Sequence, residues 1–301
     1  MKNEFSKQPL LIFSMLLQQL LNGLAQGSTY ALVAVGFALI FGTLRLVTFA
    51  HGEVFMLGAF TAYTMMRVLH TNMFAAFAAA FVISALLGIV IEFVGFRLLR
   101  DAPHTSSLLV TIGFSIILLN AAQLLWGAET KSFPLSADFG QIRILGLNMS
   151  IMQFVVYFMT IGLIIGLQLM LNYTKLGRTI RATAQDHEAA FVLGVDINKI
   201  YSLTFALGSS LGGLAGVLVG IYYNAVYPTM GAMMGLKAFS ACILGGLTSI
   251  PGAVVAGIFL GEVENLSVAY LASGFRHVFS FAILIVMLLF RPSGLFGKKA
   301  S

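Results

Sequence analysis

From Gln8 to Leu44 the chain carries no charged residue. Coiled as one helix at 1.5 Å per residue, that run is about 55 Å long, far beyond the roughly 30 Å of bilayer hydrocarbon. Uncharged runs of about 20 residues, each long enough for a membrane crossing, recur along the rest of the chain. They are continuous rather than alternating with period two, which excludes a transmembrane barrel. Only 9% of the residues are charged, against about 25% in soluble domains. The class is an all-α polytopic membrane protein, and 1–301 reads as one domain.

The expected break in the first run is Gly23–Gly27, giving crossings at 10–25 and 27–44. Eight more follow at 53–67, 74–99, 105–126, 150–172, 201–223, 236–248, 252–271 and 277–290. The runs 53–67 and 236–248 are short, so eight crossings also fit. The polar stretch 127–148 reads as an external loop. Lys2 and Lys7 precede an apolar segment without a small-residue cleavage site, so the first helix is expected to be retained. With both termini cytoplasmic, Lys2, Lys7, Arg45, Arg97, Arg100, Lys175, Arg178, Arg181, Lys199, Arg291, Lys298 and Lys299 face in. Arg67, Lys131, Arg143, Lys237 and Arg276 then face out, a distribution that follows the positive-inside rule. The net charge of +6 is therefore a loop property and does not point to nucleic acid. The single cysteine, Cys242, allows no internal disulfide and no zinc site is expected.

The longest polar interruption is Lys175–Lys199, between the sixth and seventh crossings. Arg178 to Val192 contains no Gly or Pro, so one helix is expected there, stopped by Gly194. Such a helix either lies on lipid headgroups or sits in a partner's groove. Glu188-Ala189-Ala190-x3-Gly194 resembles the start of the EAA signature of ABC-importer permeases, although the later Ile-x-Leu-Pro is absent. Tyr30–Gly36, Phe49-Ala50-His51-Gly52-Glu53, Met56-Leu57-Gly58-Ala59, Gly245-Gly246-Leu247-x3-Pro251-Gly252-Ala253 and Arg291–Gly297 are similar to the LivH/LivM class of branched-chain amino-acid ABC permeases, LivH-type subunit. Thr48 stands where that pattern has Asn.

The resemblance implies an inner-membrane, multi-pass permease subunit of an ATP-binding-cassette importer, taking branched-chain amino acids from a periplasmic binding protein. It implies ATPase subunits docked on the 175–199 loop through Arg181, Glu188, Ala189, Ala190 and Gly194. It also implies a second, homologous permease subunit. No cofactor follows from it. The chain has no G-x-x-x-x-G-K-[ST], so ATP must act through another subunit.

Acids at membrane depth are costly, about 3 kcal/mol or more, and must face protein, water or a partner. His51, Glu53, Glu262 and Glu264 are the candidates for the translocation path; Glu92 reads as structural. Glu262 and Glu264, about 200° apart on a helix, cannot share a face. Gly208, Gly212, Gly216 and Gly220 form a close-packing stripe. No clear repeat is readable, though 27–60 and 231–264 both mix glycine, aromatics and a late Glu. The rival readings are a stand-alone secondary transporter, which should show inverted repeats, and a membrane enzyme, for which no nucleophile–base cluster is evident. Within the family, polar amino acids or urea are the alternative substrates.

Overall fold

The computed structural model describes residues 8–99, 104–134, 140–144, 147–291 and 293–297. Lys2, Lys7, Arg100, Lys298 and Lys299 from the charge count lie outside them. The described elements are α1 Gln8–Leu44, α2 His51–Arg67, α3 Met73–Ile91 with a π-helical end at Glu92–Arg97, and α4 His104–Trp126. The strands β1 Gln141–Ile144 and β2 Leu147–Ser150 follow, then α5 Ile151–Tyr173, α6 Lys175–Gln185, α7 His187–Val192, α8 Ile197–Tyr222, α9 Met230–Gly245, α10 Ile250–Tyr270 and α11 Arg276–Phe290. Six helices are long and apolar enough to cross a membrane; α9 and α11 are shorter apolar helices.

The first correction concerns α1. It runs unbroken for 37 residues, so 10–25 and 27–44 are not two crossings. Gly23 and Gly27 are used for approach rather than for bending. A Cβ on Gly27 would lie 2.6 Å from the Ile258 Cα, and one on Gly261 would lie 2.2 Å from the backbone of Gly27. A glycine inside a helix costs about 1 kcal/mol, which close packing in a membrane offsets. Breaking the helix there would leave several peptide groups without partners.

One crossing in place of two changes the topology. The N-terminal half of α1 carries a reciprocal pair of bonds to the β-hairpin: Gln18 donates to the Asn148 carbonyl (2.9 Å) and accepts from the Asn148 amide (3.0 Å). The chain's other described end packs at the opposite face, where the Leu295 and Phe296 amides donate to the Leu244 and Gly245 carbonyls. Gln8 and Gly297 therefore lie on opposite sides, and the expectation of both termini on one side does not hold for the described ends.

The two short runs of the sequence correspond to α2 and α9, of 17 and 16 residues. Each is short of the about 20 needed for a crossing. Both begin inside the protein, preceded by non-helical segments at 45–50 and 223–229. Those segments find partners, as irregular backbone at this depth must. The Phe49 amide donates to Thr111 Oγ1 (3.3 Å), and Val226 pairs with Lys131 in both directions (2.8 and 2.9 Å). The starts of the two half-helices abut: a Cβ on Gly52 would sit 2.3 Å from the Gly231 carbonyl oxygen. Among the described residues six helices are long and apolar enough to cross, while α2, α9 and α11 are shorter.

The two half-helices are related by inversion. α2 runs from the centre toward the hairpin face, where Trp126 Nε1 donates to Thr64 Oγ1 (2.8 Å). α9 runs the other way. Gly52, Leu57, Ala59, Phe60 and Ala62 match Gly231, Leu236, Ala238, Phe239 and Ala241, each pair 179 positions apart. Their supports match too: α1 closes on α10 at Gly27 and Gly261, while α8 closes on α3 at Gly88, against Phe205 and Ser209. The stripe on α8 is a packing stripe. Gly208 meets Ile40 and Gly36, Gly212 meets His51, Gly216 meets Phe55, and Gly220 meets Phe133 and Val226. α1, α2 and α8 form the buried axis, whereas α3, α4, α5 and α11 present Phe81, Leu109, Phe158 and Leu289 outward.

Candidate translocation site

The strongest polar cluster inside the membrane region joins four helices. Glu264 on α10 is fully buried. Its Oε2 accepts from Lys237 Nζ on α9 (2.8 Å), Tyr30 Oη on α1 (2.7 Å) and Gln26 Nε2 (2.8 Å), and its Oε1 accepts from Ser280 Oγ on α11. Lys237 also donates to Tyr30 Oη (2.8 Å). The carboxylate is saturated, as a buried charge must be. Lys237, expected to face outward, is instead 5% exposed and ion-paired. The signal for this was present in the sequence. A single Lys in an otherwise apolar stretch needs an acid nearby, and Glu264 was already a candidate.

In front of this cluster lies a cavity of about 360 Å³ toward the hairpin side. Its wall combines Lys237, Arg276, His277, Gln26, Tyr30, Tyr223 and Tyr227 with Phe55, Val219, Met230, Met233 and Met234. Glu264 stands behind Lys237 and does not line it. Arg276, Tyr30 and Gln26 are not among the path candidates of the sequence: Tyr30 enters there only within the Tyr30–Gly36 resemblance and Arg276 only in the charge count.

The other three path candidates lie elsewhere. His51 and Glu53 open α2, where the half-helices meet, and are 2% and 1% exposed. Glu53 Oε1 accepts from Ser115 Oγ on α4 (3.0 Å), and the His51 ring lies 4.5 Å from that of Phe37. Glu53 sits in the first turn of α2, where helix N-termini favour negative charge; the matching position on α9 is Ala232. Glu262 is half-buried on another face of α10, against Gly23. Glu92, fully buried, accepts from Ser202 Oγ (2.6 Å).

At the opposite face the expected single helix over 178–193 is two. Asp186, in extended conformation, ends α6 and caps α7, accepting from the Glu188 and Ala189 amides (3.0 and 2.9 Å). A capping Asp competes with helix continuation in this way. Gly194 has φ +87° and stops the segment, a left-handed conformation suited to glycine. Arg181, although exposed, donates to the Leu171 carbonyl and to Asn172 Oδ1 (3.0 Å), fixing α6 to the end of α5. Ala190 is 3% exposed and packs against its own chain, while Glu188 and Ala189 are exposed. The exposed apolar tip is Phe191, Val192 and Leu193, at 70%, 83% and 83%. A cavity of about 1120 Å³ separates this tip from Thr43–Leu46, with His187, Glu188 and Tyr201 in its wall. Asp196 caps α8 through the Lys199 amide (3.2 Å), and its ion pair with Lys199 (3.0 Å) holds its carboxyl below the usual range. Among the described residues no three His, Cys, Asp or Glu side chains gather into a metal-binding group.

Residues 19–288 match the family model described as "Branched-chain amino acid transport system / permease component". The chain is 38% identical over 294 residues to the high-affinity branched-chain amino acid transport system permease protein BraD of Pseudomonas aeruginosa, covering 94% of this chain and 96% of that one. It is 37% identical over 298 residues to LivH of Escherichia coli K12, a permease protein of the same description, covering 95% and 97%. The ribose import permease protein RbsC of E. coli K12 is 25% identical over 282 residues, covering 91% and 85%. No solved structure matches.

Proposed function

The chain belongs to the family of branched-chain amino acid transport system permease components, and from that premise we propose that it is the membrane permease subunit of an ATP-binding-cassette importer for leucine, isoleucine and valine. The observation that carries the reading is its similarity, over nearly its whole length, to permeases named for high-affinity branched-chain amino acid transport. The partners proposed are ATPase subunits, a homologous permease subunit and a periplasmic binding protein.

The membrane proposed is the bacterial inner membrane, with the α6–α7 face in the cytoplasm. Arg45, Arg97, Lys175, Arg178, Arg181, Lys199 and Arg291 are on that side; Arg67, Lys131, Arg143 and Arg276 belong to elements at the other. Seven against four supports this orientation, with the start of α1 outside. The docking surface proposed is α7, through Glu188, Ala189 and the Phe191–Leu193 tip, with Gly194 and Arg181 at its edges and Ala190 shaping it from within. Burying one large apolar side chain in a partner's groove is worth about 1.5–3 kcal/mol. ATP-driven motion of α7 would shift α5 and α8, the crossings joined to it. Only a partner that contacts two conformations differently can drive the change. His51, Glu53, Glu262 and Glu264 are proposed to act on the path by fixing the half-helices and Lys237.

The inverted α2 and α9 favour a second reading, a transporter that works alone, because secondary transporters are built from such repeats. Proteoliposomes separate the two. The chain with its ATPase, partner permease and binding protein should accumulate leucine only when ATP is supplied. Equal accumulation by the chain alone would overturn the importer reading.

A further inference from the structure

We propose that the cavity between α1, α8, α9 and α11 is a transient site for one free α-amino acid. Arg276 and Lys237 hold its carboxylate, and Met230, Met233 and Met234 take its aliphatic side chain. The inference deepens the permease reading and rests on it.

Charge carries the argument. Two cationic side chains, Lys237 and Arg276, line the cavity, and no Asp or Glu lines it among the described residues. The nearest carboxylate, Glu264, is enclosed and already accepts from four donors, so its charge is directed at Lys237 and away from the cavity. Lys237 is thereby fixed in position: two of its three N–H groups are directed at Tyr30 and Glu264. Among the described residues no acid lines the cavity to pair with Arg276, so a ligand carboxylate is the complementary group. His277 Nδ1, enclosed in the same wall without a hydrogen-bond partner, is a polar group left over for the ligand's ammonium.

Shape and chemistry of the remaining wall agree. About 360 Å³ is at the small end of ligand cavities, which run about 300–1,000 Å³. That suits a single amino acid and excludes a peptide. Three methionines form an apolar surface that adapts to branched side chains of different outline.

The test uses Met233→Cys, since Met233 is half exposed in this wall and the natural Cys242 is buried. The complete transporter is reconstituted without binding protein and alkylated with N-ethylmaleimide. L-Leucine should slow alkylation, roughly threefold at about twice its Kd. Leucinol, which keeps the side chain and ammonium but lacks the carboxylate, should not. Arg276→Gln in the same background should weaken protection roughly tenfold or more, and Arg276→Lys should retain most of it. Unchanged alkylation of the Arg276→Gln protein without leucine shows that it is folded. Equal protection by leucinol, or protection indifferent to Arg276→Gln, overturns the inference. Parallel vesicles with binding protein and ATP keep the two readings apart. If the wild type accumulates leucine but Met233→Cys is never protected, the site alone is rejected; if it accumulates none, the permease reading fails first and the site with it.

Discussion

Replacing Lys237 with Met strips the paired cation from Glu264, a carboxylate with no exposure to solvent. Breaking one partner of a buried ion pair costs about 3–5 kcal/mol, because the other charge is left behind. Glu264→Gln should cost a similar amount, since Lys237 then keeps only the Tyr30 oxygen. Independent effects would sum to about 6–10 kcal/mol. The double variant buries no charge, and the amide introduced by Glu264→Gln can still bond Gln26, Tyr30 and Ser280. It should therefore be milder than either single variant, with an interaction energy of at least about 3–5 kcal/mol, beyond the top of the usual range. The measurement is a double-mutant cycle from SDS-induced unfolding in micelles, followed by circular dichroism. Additivity within about 0.5 kcal/mol would refute the pairing. Uptake gives a second readout: the double variant should recover stability without recovering leucine transport, because Lys237 also faces the cavity. Full transport by the double variant would make the pair purely structural.

Topology can be read by cysteine labelling in intact cells: Gln8→Cys and Glu129→Cys should label from outside, and Lys175→Cys only after permeabilisation. Gly52→Ala should lower thermal stability by about 1–3 kcal/mol through overpacking, because its new carbon meets the Gly231 carbonyl. Gly162→Ala, with nothing within 4 Å of the added carbon, should be neutral or stabilise by up to about 1 kcal/mol; equal melting of the two variants would contradict the half-helix contact. Phe191→Ser and Val192→Ser should leave the chain folded but release its ATPase on purification. Retained ATPase with normal leucine-stimulated hydrolysis would remove the docking role from α7.

Hydropathy made the membrane class and most crossings legible, because uncharged length is a direct physical requirement for crossing. It misled at Gly23–Gly27, since the same glycines that end a soluble helix let membrane helices touch. It also misled at Lys237: charge counting assigns a cation to a loop unless its acid partner is known, and Glu264 lies 27 positions away. The division at Asp186 was readable, an Asp followed by the His187–Val192 turn, but the absence of Gly and Pro outweighed it. The α2/α9 correspondence rests on five matching residues, too few to stand out without the inverted geometry. Ala190 illustrates a different limit. A motif can name a residue that matters without saying whether it faces a partner or its own core, and here it faces the core.

The path from the α6–α7 face to the centre is short. α7 joins α8 through a turn whose Asp196 caps α8, and Arg181 fixes α6 to the end of α5. Along α8, Gly216 places the helix against the Phe55 backbone and Gly212 against the His51 ring at the start of α2. α2 in turn abuts α9 at Gly52 and Gly231, and α9 carries Lys237. A shift of α8 along its axis by a fraction of a turn would therefore reach the cavity wall through close packing contacts. Spatial continuity of this kind is only a route; what makes it a candidate for coupling is that its last member, the Lys237–Glu264 pair, joins α9 to α10 and α11. If α9 moves while α10 stays, the pair must lengthen, and the cost of separating buried charges makes intermediate positions unfavourable.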